Sequence, residues 1–210
     1  MNHTLIGMFD SPFVRRVAIT MHIYEMPFEH RRWSVFGDFD RVSEFNPLGR
    51  VPILLLDDDE ALIESSVILD YLDESAGPER ALIPRSGPAR RHALKRITVA
   101  LGGCEKAVAL FYETVKREER YTDPGWAARL QAQVASALDW VEGHLESPSD
   151  DPDQAAITSA VFWRFLAEYL PDAAEDRRYT GLSTLSRRCE RHPAFRAIPF
   201  GEEATIDPAA

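Results

Sequence analysis

Three short stretches of this chain carry residue types suited to holding a peptide-like ligand. Ser11-Pro12 follows a short apolar strand pattern and opens a helical one, so a hydroxyl sits where helix-start N–H groups favour an anion. Asn46-Pro47-Leu48-Gly49-Arg50-Val51-Pro52 leads into the apolar run Ile53-Leu54-Leu55-Leu56. A Val-Pro bond in that place suggests a buried proline of the kind that takes a cis bond, beside backbone groups left open. Glu64-Ser65 lies at a second strand-to-helix junction and offers a carboxylate, a hydroxyl and unpaired N–H groups together. The combination suits the amino-acid end of a peptide-like ligand. Each piece also has a plainer account. Ser11 serves as an N-cap, Val51-Pro52 begins a strand, and Glu64-Ser65 caps a helix.

Composition bounds the partners. The chain has 210 residues, 45% hydrophobic and 28% charged, enough for one large domain or two small ones with a real core. A net charge of -10 argues against nucleic acid, which needs a concentrated basic surface, and the pairs Arg15-Arg16, Arg31-Arg32 and Arg90-Arg91 are short and separated. The first residues lack the basic start and apolar core of a signal peptide, and no run approaches the roughly 18 apolar residues of a membrane span. The two cysteines, Cys104 and Cys189, lie far apart without metal-ligand spacing, so a reduced, cytoplasmic setting without a structural disulfide is expected. The six histidines are scattered, which predicts no metal site, and Asp57 to Glu60 reads as a solvated turn.

Two kinds of patterning position these residues. Up to residue 77, strand and helix signals alternate: strands over Thr4–Gly7, Phe28–Trp33, Ile53–Leu56 and Ala61–Ile63, and helices after Pro12 and from Ser65 or Ser66. Gly77-Pro78 and the prolines at 84 and 88 mark a linker over 78–88. Beyond it strand signals vanish. Helices are predicted from Ala89 to about Arg117, from Asp123-Pro124-Gly125 through the stripe Trp126, Leu130, Val134, Leu138, Val141 and Leu145, over an apolar Ala155–Leu170, and over Tyr179–Glu190. Ser147 to Asp153 reads as a polar loop, with Asp153 as the cap of the apolar helix, and 201–210 as a mobile tail.

Ser11-Pro12-Phe13-Val14-Arg15-Arg16-Val17, the stretch from Asn46 to Pro52, Glu64-Ser65, and Leu138-Asp139-Trp140-Val141-Glu142-Gly143-His144-Leu145 together resemble the glutathione S-transferases over nearly the whole chain. The resemblance implies an α/β half and an all-α half. The first is a thioredoxin-like βαβαββα domain over 1–77 that binds glutathione, and the second is all-helical over 89–200. It implies a cytoplasmic homodimeric enzyme of detoxification, with glutathione as co-substrate and no bound cofactor or metal. The thiolate of glutathione would attack a small hydrophobic electrophile.

By the same resemblance, Ser11 is the catalytic hydroxyl that stabilises the thiolate. Lowering a thiol pKa of about 8.5 by two units takes roughly 2.7 kcal/mol, within reach of a hydroxyl donor and a helix N-terminus. Phe13, Arg50, Val51, Pro52, Glu64 and Ser65 would bind glutathione. Val51 would exchange backbone bonds with the cysteinyl unit, Glu64 would meet the γ-glutamyl ammonium and Ser65 its carboxylate, and Arg50 would face the glycine carboxylate. Cys104, Val108, Phe111 and Tyr112, sharing a helix face, and Trp163 would wall the electrophile site, with core packing as the competing account.

The chain departs from the family in four ways. Ser11 stands where a thioredoxin or an omega-like member carries cysteine, which excludes dithiol chemistry and argues against a thioltransferase. The Ser-Ser-Cys start of the maleylacetoacetate isomerases is missing. Asp10 precedes Ser11, and its charge would oppose a thiolate. Gly102-Gly103 stands where relatives often carry an acidic residue that reaches the ligand across the dimer. Two rival readings therefore stand beside the transferase: a non-catalytic binding or regulatory protein, and a glutathione-dependent isomerase or dehalogenase.

Overall fold

The computed structural model describes residues 3–58, 60–146, 149, 151–174 and 177–201. They form two compact units, Met1–Ala81 joined by the segment that begins at Pro193, and Leu82–His192.

The first unit holds four strands, β1 (His3–Ile6), β2 (Phe28–Arg31), β3 (Ile53–Leu55) and β4 (Ala61–Ile63), ordered β2-β1-β3-β4. β1 and β2 run parallel, joined through helix α1 (Pro12–Ile23), while β3 and β4 are antiparallel to their neighbours. A parallel pair requires such a crossover, and α1 supplies it. β2 ends at Arg31 rather than Trp33, because the Trp33 N–H turns back to the Arg31 carbonyl at 2.9 Å. The second helix of the thioredoxin-like order, which no periodicity located, is α2 (Phe39–Phe45), and α3 (Ser65–Ala76) follows β4.

Every residue of β1 is buried, so both faces of the sheet are covered. On one face Ile6 and Ile53 pack with Val42 of α2, flanked by Trp33, Phe45 and Val51. Leu5 and Leu54 alternate to the other face, and α1 and α3 pack together with Val14, Val17, Met21, Ile68 and Leu72 buried. Beside α1 lies α8 (Pro193–Ala197), which the sequence pattern assigned to the helical half and which packs in the first unit. The reason is Arg15. Its buried guanidinium donates from Nε to the Ile198 carbonyl at 3.0 Å and lies 5.5 Å and 5.8 Å from the rings of Phe195 and Phe200.

The second unit contains α4 (Gly87–Phe111), a π turn (Tyr112–Lys116), α5 (Pro124–Glu142), α6 (Gln154–Tyr169) and α7 (Thr180–Cys189). The apolar α6 is its centre, buried from Gln154 through Trp163 and packed against α4 and α7, while α5 packs on α4. Gly103 permits that close approach: a Cβ there would lie 2.5 Å from the Phe162 ring and 3.0 Å from the Ala137 Cβ. The predicted α5 stripe is buried at Leu130, Val134, Leu138 and Val141, whereas Trp126 at its start is exposed. Asp153 caps α6, accepting from the Ala156 N–H at 2.7 Å, and with alanine at 156 no acidic side chain completes the box. Burial pushes the Cys189 thiol up to about 12, and neither cysteine forms a disulfide. No helix among the described residues is long and apolar enough to cross a membrane. Of the predicted loop at 147–153, residues 147, 148 and 150 lie outside the described residues, as does the tail after Gly201.

Candidate active site

Strand register gathers the three chemical stretches at one end of the sheet. Ile6 pairs with Ile53, and Ile53 pairs with Ile63, so Gly7, Pro52 and Glu64 each take the next step off the same edge. With strands about 4.8 Å apart, the β1 and β4 exits are separated by about 10 Å, close to the span of an extended tripeptide.

At the β1 exit Ser11 is the N-cap of α1, with extended backbone (φ -69°, ψ 122°) and Pro12 in the first helical turn. Proline is suited to that place, since its missing N–H is one the helix leaves unpaired. The Val14 N–H donates to Ser11 Oγ over 3.5 Å, at the outer limit of a hydrogen bond. The cap role is therefore weakly exercised, and the hydroxyl proton has no part in it. Asp10, Ser11 and Phe13 are all half-buried.

Gly7 makes the junction close, although the sequence reading passed over it. At φ +132° it adopts a conformation open to glycine, and a Cβ would lie 2.5 Å from Val14 and 2.9 Å from Val51. α1's first turn and the Val51 segment thus meet across a bare backbone. A glycine closing a strand is the signal that marks such approaches.

At the β3 entrance the Val51-Pro52 bond is cis and Pro52 is buried. Among the described residues no backbone hydrogen bond uses the Val51 N–H or carbonyl. The loop before it is clamped by buried Asn46, whose Nδ2 donates to the Arg50 carbonyl at 2.7 Å and whose Oδ1 accepts from the Leu48 N–H at 3.0 Å. Arg50 itself is exposed, with no ion-pair partner among the described residues.

At the β4 exit Glu64 has φ +72°, one of only two such non-glycine residues described, and its exposed side chain makes no capping bond. Ser65 is the first residue of α3, fully buried, and its Oγ has no hydrogen-bond partner among the described residues. Neither residue caps the helix, so the plain capping account fails here. A buried hydroxyl left unpaired costs about 1–3 kcal/mol. It sits among helix-start N–H groups, an environment complementary to a carboxylate.

The five residues expected to wall an electrophile all lie in the second unit. Cys104, Phe111 and Trp163 are buried, with Phe111 against Phe165 and Tyr169, and Trp163 against Tyr179. Their packing accounts for them as core. Val108 is half-buried and Tyr112 exposed, the latter opening the π turn. Among the described residues no cluster of His, Cys, Asp or Glu is placed to hold a metal ion.

The chain is similar to known proteins in sequence and in fold. Residues 5–80 match the family model for the glutathione S-transferase N-terminal domain. The uncharacterised GST-like protein YibF of Escherichia coli is 27% identical over 67% of this chain and 69% of its own length. Glutathione S-transferase GstB of the same organism is 34% identical over 75% of this chain, the match spanning 63% of GstB, just under two thirds. A glutathione S-transferase of Methylobacterium radiotolerans, solved in complex with glutathione sulfonate, superposes with a TM-score of 0.88 over 98% of both chains at 26% identity. Residues 5–80 thus carry a glutathione S-transferase N-terminal domain, and with its thioredoxin-like sheet, its cis Val51-Pro52 edge and its helical second unit the chain is similar to glutathione S-transferases over nearly its whole length.

Proposed function

We propose that the protein binds reduced glutathione at this sheet edge and conjugates its thiolate to a small hydrophobic electrophile. The observation that carries the binding half is Ser65: a fully buried hydroxyl without a partner, at the start of α3 and next to a strained Glu64. A γ-glutamyl carboxylate would pair the Ser65 hydroxyl and the N–H groups of the first α3 turn, and Glu64 would take the ammonium. The open N–H and carbonyl of Val51 suit the cysteinyl backbone, held by the cis Pro52 turn, and exposed Arg50 suits the glycine carboxylate. The cysteinyl side chain then points toward the β1 exit, where Phe13 flanks the ligand and the Ser11 O–H donates to the sulfur. In the reaction the thiolate lone pair forms a carbon–sulfur bond, and the electrophile expels a leaving group or takes a proton from water. By family likeness we further propose a homodimer. The exposed apolar side chains of Phe39 and Val67 in the first unit, and of Leu94 and Trp126 in the second, support that reading.

Titration calorimetry with reduced glutathione tests the binding half. Wild type is expected to bind in the micromolar to low millimolar range, and Glu64→Ala and Ser65→Ala to lose about 1.5–3 kcal/mol each, as for charge-assisted bonds. Unchanged affinity in both folded variants would overturn the assignment. Binding without any fall in the thiol pKa would instead favour a non-catalytic protein, the reading supported by half-buried Asp10 beside Ser11.

A further inference from the structure

We infer that His30 of β2 is a positioning residue for the loop that presents Ser11, an assignment that rests on the thiolate-holding reading of Ser11. The loop from Gly7 to Ser11 has left the β1 ladder, and β2 holds its start. The Gly7 N–H donates to the Arg31 carbonyl at 3.0 Å. His30 Nε2 lies 2.7 Å from the Gly7 carbonyl, and since a carbonyl only accepts, Nε2 carries the proton. The imidazole also lies flat on buried Phe9, centroids 3.9 Å apart and planes within 9°. β2 therefore grips Gly7 by both its polar groups and the ring two residues further on.

That grip reaches Ser11 in one step. The Ser11 N–H donates to the Met8 carbonyl at 3.1 Å, so the residue between the two gripped positions also fixes the cap. Gly7 has no room to drift toward α1 or the Val51 edge, where a Cβ would already collide. His30 meets Gly7 and Phe9 and stands edge-on to Phe28, centroids 6.5 Å apart, and none of these three is assigned to glutathione. Its effect should fall on the sulfur end of the ligand and spare the γ-glutamyl end, where a merely destabilising change would weaken both.

The test uses the full chain and three variants. His30→Phe keeps a ring against Phe9 without the donor, His30→Gln places an amide donor at the reach of Nε2, and Ser11→Ala removes the hydroxyl. Thiolate absorbance against pH gives the pKa of bound glutathione, and calorimetry gives its Kd. We expect Ser11→Ala to raise the bound pKa by about one to two units. His30→Phe should raise it by about half a unit or more, a roughly threefold fall in the acid dissociation constant of the bound thiol, with Kd within about threefold of wild type. His30→Gln should recover most of that shift. Should His30→Phe fail to fold, His30→Asn, whose amide is too short for the Gly7 carbonyl, carries the same expectation. If Ser11→Ala moves the bound pKa while folded His30→Phe or His30→Asn leaves it unchanged, the His30 assignment is overturned and the Ser11 reading stands. If Ser11→Ala moves nothing, the Ser11 reading falls and takes the His30 assignment with it.

Discussion

Glu64 pairs a long side chain with a left-handed backbone, φ +72°, a conformation worth about 1–3 kcal/mol of strain in a residue that carries a Cβ. Glycine would remove the steric part of that strain, partly offset by the greater freedom glycine has in the unfolded chain. Glu64→Gly is therefore expected to raise stability by about 0.5–1 kcal/mol in chemical denaturation while weakening glutathione binding, if the carboxylate meets the ligand as proposed. Lower stability together with unchanged binding would show that Glu64 is held by contacts within the fold. The residues legible in the sequence were those whose signal is local. Ser11-Pro12, Val51-Pro52 and Glu64-Ser65 each announce a junction within two or three positions. Gly7 and His30 were not picked out, and Asn46 stood only as the start of its stretch, without its clamping role. The His30 bond to Gly7 spans 23 residues, and a ladder register that no local pattern states brings it about.

Among the elements, α4 carries two adjacent glycines with opposite surroundings. A Cβ on Gly102 would meet nothing within 4 Å, whereas one on Gly103 would strike Phe162 at 2.5 Å. Gly102→Ala should raise stability by up to about 1 kcal/mol through helix propensity. Gly103→Ala should lower it by about 1–3 kcal/mol, because Phe162 at the centre of α6 must leave its rotamer or the helices must part. Urea midpoints for the two variants check this, and equal shifts would show that the α4–α6 packing yields freely. The same pair looked in sequence like a missing ligand group; at Gly103 the structure supplies a packing reason. Helix spans were legible because a 3.6-residue period persists over three or more turns, with caps at Asp123 and Asp153 marking the starts. The π turn after Phe111 was not legible, since Tyr112–Lys116 continues the apolar spacing while its hydrogen bonds widen. Nor could spacing separate buried Phe111 from exposed Tyr112, neighbours whose exposure is decided by what packs from elsewhere.

For the whole molecule, the proposed homodimer predicts light scattering at about twice 23.7 kDa at micromolar concentration, and a species at 23.7 kDa would refute it. The net charge of -10 makes high salt the stricter condition, since screening removes the self-repulsion that favours monomers. Arg15 has a further consequence for how the molecule is made. Its guanidinium is sealed by the Ile198 carbonyl and the rings of Phe195 and Phe200, groups 180 or more positions later in the chain. During synthesis the thioredoxin-like sheet leaves the ribosome first, yet one of its helices meets the Ile198 carbonyl and the two rings only after residues 195–200 have emerged. The stretch that matches the N-terminal family model, 5–80, thus leaves out part of the surroundings of a buried guanidinium, and a chimera that grafts it onto another helical half keeps them only if residues 193–200 travel with it.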